Sequence, residues 1–240
     1  MVSYTKYSDI EVFEGKIEKH QYPWHFHNCY TLIFVEKGSI NYEFQEKSLR
    51  VDQAEAIVIE PHKIHRNTIS QPTAYKALFL PHEYFDCAGQ NNLVTQKMNH
   101  PSVVDGIVDL LEKIELKYSK KELKESAFEL LQLIDHPQIE KNDDFSSSIN
   151  LIPKIDLDLT ITELAEEARL SKFHFQRKFK KNCGLTIGQL KQQEKTVTAK
   201  TLLEHGMLST DVAYELGFFD QSHFIKYFKK MWAITPKQFK

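Results

Sequence analysis

Two seven-residue strings near the end of the chain interleave aromatic with basic and amide side chains: Phe175-Gln176-Arg177-Lys178-Phe179-Lys180-Lys181 and Phe224-Ile225-Lys226-Tyr227-Phe228-Lys229-Lys230. If each is helical, Phe175 with Phe179, and Phe224 with Phe228, stand four residues apart on one face and can pin the helix to a core. The opposite face then offers Lys172, Gln176, Arg177 and Lys180 in the first, and Gln221, Ser222, Ile225, Lys226 and Lys229 in the second. Those types suit the major groove of duplex DNA. Arginine forks onto guanine O6 and N7, glutamine onto adenine N6 and N7, apolar groups meet thymine methyls, and lysine neutralises phosphate. A basic helix by itself is usually only a solvated face, so the reading needs elements that aim two such helices.

Those elements repeat. The two strings lie 49 residues apart, and Leu164-Ala165-Glu166-Glu167 precedes Val212-Ala213-Tyr214-Glu215 by 48, so the units differ by one residue in a turn. Each reads as a short helix beginning near Thr162 or Asp211, a turn, and a second helix capped by Ser171 or Asp220. A duplicated helix-turn-helix accounts for the pattern economically. Charge supports it: residues 1–150 hold 16 Lys+Arg and 23 Asp+Glu, net −7, whereas residues 151–240 hold 15 and 10, net +5. A polyanion is attracted to the second half and repelled by the first.

The first half is patterned differently. Between Tyr22 and about Leu80, short runs such as Tyr30–Val35, Ile40–Phe44 and Ala56–Ile59 are separated by turn residues such as Lys37-Gly38-Ser39, which predicts strands of a small barrel or sandwich. Val104, Ile107, Val108, Leu111 and Ile114, then Leu123, Ala127, Leu130, Leu131 and Ile134, recur at helical spacing. Asn142-Asp143-Asp144 and Ser146-Ser147-Ser148 have linker composition. Cys29, Cys87 and Cys183 are odd in number and far apart, which argues against a disulfide framework and against a CxxC zinc site, and reads as buried free thiols. No secretory pattern opens the chain and no run approaches eighteen apolar residues, so a cytoplasmic protein with no membrane partner is expected.

From about Leu159 to Phe239 the chain resembles the AraC/XylS family of transcription regulators. The resemblance rests on Gly217-Phe218-Phe219-Asp220-Gln221-Ser222-His223-Phe224, on Phe228-Lys229-Lys230 and Thr235-Pro236-Lys237-Gln238-Phe239, and on the first-unit string from Ser171 to Lys181. It implies two recognition helices, joined by a long helix over about Ile187 to Leu203, entering successive major grooves on one DNA face. Phe173, Gln176 and Arg177 are then the base readers of unit one, and Gln221, Ser222, Ile225 and Lys226 those of unit two. It also implies a transcription regulator, an activator or a repressor, with a homodimer expected and RNA polymerase as a candidate partner. Four positions depart from the family pattern. Arg169 stands where the first turn usually has glycine, which predicts a strained or shifted turn. Ala233 replaces a glycine, Lys195 an arginine of the connecting helix, and Lys226 an arginine. The last exchange trades a bidentate fork for a point charge, so weaker base discrimination is expected there.

His25-Phe26-His27 and Pro61-His62-Lys63-Ile64-His65-Arg66-Asn67 resemble the two conserved strips of a cupin barrel, which in AraC-type regulators binds an effector. By that resemblance Trp24, His25, His27, Glu60 and His65 form the binding site for a small-molecule effector, with Tyr42 and Phe44 as further pocket or core aromatics. Cupin enzymes hold a metal with three histidines and a glutamate. Here His25, His27 and His65 supply imidazoles, but the glutamate is missing among Cys29 to Leu32, so no metal or other cofactor is expected and the chain is read as a regulator, not an enzyme. The alternative is a metal-dependent cupin enzyme fused to a DNA-binding domain. The expected fold is α+β in two domains: a cupin-like β-barrel with two following helices, then an all-α domain with two helix-turn-helix units. Its parts are an effector-sensing domain over 1–100, a helical dimerisation or packing segment over 101–136, a linker over 137–152 and the DNA-binding domain over 153–240.

Overall fold

A computed structural model describes residues 2–7, 9–84, 93–134 and 159–239. The expected linker and Cys87 lie outside the described residues. The chain divides into two compact units, residues 1–21, 26–63 and 67–139, which are β-rich, and residues 22–25, 64–66 and 140–240, which are mainly helical, and this is the expected fold class.

The first unit runs through β1 (Val2–Tyr7), β2 (Ile10–Ile17), β3 (His20–Gln21), β4 (Tyr30–Lys37), β5 (Ser39–Phe44), β6 (Ser48–Asp52), β7 (Ala56–Ile59), β8 (His65–Ile69), β9 (Thr73–Leu80) and β10 (Gln96–Met98), then α1 (Pro101–Glu115) and α2 (Lys120–Leu133). The strands form a six-stranded sheet ordered β1-β2-β9-β4-β7-β10 and a four-stranded sheet ordered β3-β8-β5-β6. Strand alternation decides what each face buries. On the six-stranded sheet, Ile10, Val12, Leu32, Val58, Leu78 and Leu80 pack with Ile107, Leu111, Leu123, Ala127 and Leu130 of the two helices. Residues of the other face, among them Ile33, Val35, Ile57 and Ile59, are buried as well, as are Ile40, Tyr42 and Val51 of the four-stranded sheet. Tyr42 and Phe44 stack with centroids 6.5 Å apart and are both buried, so these two aromatics are core. Between β4 and β5 the chain leaves one sheet for the other through Gly38 at φ 84°. A Cβ there would lie 2.6 Å from the Pro72 carbonyl oxygen, so only glycine fits.

Four strands, β1, β2, β3 and β10, lie outside the region that sequence patterning marked. β1 pairs with β2 from Val2↔Gly15 to Tyr7↔Ile10. As an edge strand β1 exposes alternate polar side chains, and its residues buried only in part leave little hydrophobic signal. The expected burial of the cysteines holds for Cys183, whose thiol is pushed up to about 11 by burial, but Cys29 is only half-buried.

The second unit comprises α3 (Ile161–Glu167), α4 (Lys172–Cys183), α5 (Ile187–Glu204), α6 (Ser209–Glu215), α7 (Gln221–Trp232) and α8 (Pro236–Phe239). The repeat is visible residue for residue. α3 and α6 are each 7 residues long, and α4 and α7 each 12. Ser171 accepts from the His174 N–H at 3.3 Å and Asp220 from the His223 N–H at 2.7 Å, the expected caps. The backbone enters the left-handed region at equivalent points: Arg169 (φ 54°) and Gly217 (φ 62°) in the two turns, Gly184 (φ 72°) and Ala233 (φ 61°) closing the two second helices. Arg169 therefore does not shift the turn; it takes the conformation glycine has in unit two, at a steric cost of roughly 1–2 kcal/mol. Arg169→Gly is expected to raise stability by about 1 kcal/mol, since the larger entropy loss of glycine offsets part of the gain. A urea midpoint that is unchanged or lower at constant m would show that the turn is unstrained.

Candidate functional site

Within the second unit, Phe179, Phe224 and Phe228 are buried and Phe175 half-buried, with ring centroids 6.0 Å apart in the first pair and 5.7 Å in the second. The aromatic faces are thus committed to the core. Lys172, Phe173, Arg177 and Lys180 of α4, and Gln221, Ser222, Lys226 and Lys229 of α7, are exposed, while Gln176 and Ile225 are half-buried. Phe173 is 84% exposed, an unusual position for a large apolar ring unless it meets a partner. Gln221 donates from Nε2 to Ser209 Oγ at 2.8 Å. Gln221 and Ile225 line a cavity of about 540 Å³ shared with Leu203, Leu208 and Pro236. Two lysines that sequence reading did not mark as functional hold the frame. Lys195 Nζ lies 5.7 Å from the Phe218 ring centroid and Lys200 Nζ 4.9 Å from that of Trp232, tying α5 to the second unit's turn and to α7. The exchange of arginine for Lys195 leaves that cation over the ring.

The two histidine strips are joined through the backbone. The His25 N–H donates to the His65 carbonyl at 2.8 Å and the His65 N–H to the His25 carbonyl at 2.9 Å, an antiparallel bridge. Residues so paired project on the same face. The His62 N–H donates to the His27 carbonyl at 2.7 Å, fixing the same strip two residues further along. The rings of His25 and His65 lie 4.3 Å apart, and one ligand nitrogen from each of His25, His27 and His65 lies within 4.8 Å of the others. His25 and His65 are buried and His27 half-buried. His25 Nδ1 sits 2.7 Å from the Pro23 carbonyl oxygen. A carbonyl only accepts, so Nδ1 carries the proton and Nε2 keeps its lone pair. Burial pushes the His25 imidazolium down to about 4, against the smaller opposing effect of the Pro23 hydrogen bond, and the ring is neutral at neutral pH.

The remaining expected effector residues, Trp24 and Glu60, have partners of their own. The Arg66 guanidinium lies 5.0 Å from the Trp24 ring centroid. Glu60 accepts from the Thr95 N–H at 2.9 Å, its own N–H donates to Thr95 Oγ1 at 3.2 Å, and Lys63 Nζ is 3.7 Å from its other oxygen. Glu60 is thereby a bridge between segments and stands outside the histidine cluster. Sequence reading also missed Thr31 and Phe79, cross-strand partners in β4 and β9. The Phe79 ring meets His27 edge-on at 5.0 Å, and Thr31 Oγ1 is buried with no hydrogen-bond partner among the described residues. A threonine inside an apolar strand is a faint signal that only the register makes meaningful.

A sheet-built unit carrying clustered polar rings, followed by a duplicated helix-turn-helix, defines a two-domain regulator. The AraC-like ligand binding domain matches residues 7–131 and a helix-turn-helix domain matches residues 164–240. The chain belongs to the AraC family of transcription regulators. It is similar to the HTH-type transcriptional activator RhaS of Escherichia coli O81 (strain ED1a), at 24% identity over 252 residues, covering 93% of this chain and 89% of that protein. Its fold is similar to that of ToxT from Vibrio cholerae O395, with TM-score 0.60 and 15% identity over 98% of this chain and 96% of the other. The unsaturated fatty acid bound form of wild-type ToxT from Vibrio cholerae strain SCE256 gives TM-score 0.57 and 16% identity over 98% and 95%. Among the described residues no helix is long and apolar enough to cross a membrane.

Proposed function

We propose that this chain is a sequence-specific transcription activator of the cytoplasm, not an enzyme, whose first domain takes a small molecule and thereby alters operator binding. One observation carries the DNA-binding half of the reading: two capped, exposed, basic helices of equal length joined by the single 18-residue α5. That helix is roughly 27 Å long at 1.5 Å per residue, commensurate with recognition helices set one DNA turn, ~34 Å, apart. The description of RhaS as an activator supports the sign of regulation, and the fatty acid bound form of ToxT supports a small organic effector. The domain limits 1–100, 101–136, 137–152 and 153–240 are part of the proposal. So is a homodimer with RNA polymerase as partner. α1 and α2 bury their inner faces on the sheet yet leave Phe128 and Leu133 of α2 exposed, side chains that a second copy would cover.

The assignment of roles is tested with the full chain on a duplex selected from random sequence. Arg177→Ala is expected to relax preference at one base position and to cost on the order of 1–3 kcal/mol at that site. Lys180→Ala should weaken every sequence alike, because a phosphate contact carries no base information. Uniform weakening by Arg177→Ala would remove it from the base readers, and failure to select any duplex would remove the function itself.

A further inference from the structure

We propose that Ser209 is a positioning residue that sets the side-chain amide of Gln221 as an adenine reader in the second helix-turn-helix unit. The inference rests on the reading of Gln221 as a base contact and adds a partner that sequence patterning left unmarked. Ser209 opens α6 and Gln221 opens α7. Gln221 Nε2 donates to Ser209 Oγ at 2.8 Å. The serine is half-buried and does not cap its own helix, since Leu208 holds the cap position of α6 and no side-chain hydrogen bond closes that end. The repeat supplies an internal comparison. At the equivalent positions, 48 residues before Ser209 and 49 before Gln221, unit one has Ile161 and Lys172. An aliphatic side chain and an ammonium cannot make this bond. Hydroxyl and amide therefore occur together in the unit whose second helix begins with a base reader, while the exposed Lys172 suits a phosphate.

The base preference follows from counting donors. A carboxamide carries two N–H donors and one carbonyl acceptor. Adenine presents a donor at N6 beside an acceptor at N7, so it takes Oε1 and one N–H from the same edge of the amide. Giving the other N–H, trans to Oε1, to Ser209 leaves that edge whole and stops rotation about the last side-chain torsion. Guanine presents two acceptors, O6 and N7, and an amide held in this way has one N–H left for them. Gln221 also lines the cavity of about 540 Å³ with Leu208 and with Ile225, one turn further along α7, so apolar groups flank the amide where it is held. Ordering a long, flexible side chain before DNA arrives removes a cost otherwise met on binding, worth roughly two- to tenfold in affinity.

The test reads base preference by the full chain on a duplex selected from random sequence and on every single-base variant of it. Gln221→Ala is expected to flatten preference at one position, where the parent protein favours adenine. Ser209→Ala is expected to lower the adenine preference at that same position roughly two- to tenfold, chiefly by admitting guanine, while preference elsewhere, the salt dependence and the urea midpoint stay as in the parent. Ser209→Thr keeps the hydroxyl and should restore the preference. In the Gln221→Ala background, Ser209→Ala should have no further effect, which separates positioning from a contact of the serine's own. Preference after Ser209→Ala that matches the parent, or affinity lowered alike for every duplex, overturns the proposal and leaves Gln221 among the base readers. Preference unchanged by Gln221→Ala removes Gln221 from the base readers, and the proposal falls with it.

Discussion

Raising monovalent salt from about 50 to about 200 mM is expected to weaken DNA binding by the full chain on the order of a thousandfold. Lys172, Arg177, Lys178, Lys180 and Lys181 on α4, and Lys226, Lys229 and Lys230 on α7, are all exposed. If about six of them neutralise phosphates, the slope of log affinity against log salt is roughly −5, and a fourfold change in salt gives that loss. The acidic first half, net −7, works in the opposite direction by repelling the polyanion, and salt screens this repulsion as well. The measured slope therefore reports a net count. Fluorescence anisotropy of a labelled duplex across that salt range supplies it. A slope shallower than about −2 would mean that the two basic helices do not lie along the phosphate backbone, whatever their resemblance to recognition helices. Removing single cations refines the count, because each true phosphate contact should lower the slope by about one.

The parts of the molecule legible in its sequence are those where one physical signal dominates. The helix-turn-helix units were readable because a repeat doubles every cue: the Phe pairs, the caps Ser171 and Asp220, and the basic strings all occur twice. The three interior strands β4, β5 and β7 were readable as short apolar runs between turn residues, because burial excludes most polar side chains from them, whereas α5 was expected from the family resemblance. β1 was not legible, since a partly exposed edge strand mixes polar and apolar residues without a clean alternation. The histidine site was half legible. His25, His27 and His65 could be listed from two short strips, yet their approach depends on the register of a backbone bridge that pairs residues 40 apart in sequence. Glu60 looked equally available on paper. Its neighbour Thr95, contributed from outside those strips, is what occupies it, and no local pattern announces that pairing. The Arg169 turn was legible from a single residue type. A departure from the family pattern predicted either strain or a shift, and of the two it is the left-handed backbone at Arg169 that the turn shows.

Phe228→Ala is expected to destabilise the second unit by roughly 3–5 kcal/mol, whereas Phe173→Ala leaves stability nearly unchanged. Both rings belong to second helices of the repeat, so composition does not distinguish them. Their surroundings do. Phe228 is fully buried, with centroids of Phe224, Trp232 and Phe239 at 5.7, 6.2 and 5.8 Å. Truncation to alanine removes the ring contacts and leaves a cavity, because the neighbours are fixed to α5 by Lys200 lying over both Trp232 and Phe239 and collapse only in part. Against a total stability of about 5–15 kcal/mol for a domain, that loss is large. Phe173, 84% exposed, has little packing to lose. Its removal is expected instead to lower affinity for the selected duplex, since an apolar ring at the start of α4 is placed to meet a thymine methyl. Urea melts of the two variants, followed by duplex titration of each under conditions where it remains folded, separate the roles. Equal midpoints for the two variants would show that the Phe228 cluster is not the core of the second unit. Equal duplex affinity for Phe173→Ala and the parent protein would leave its exposed ring without a nucleic-acid role.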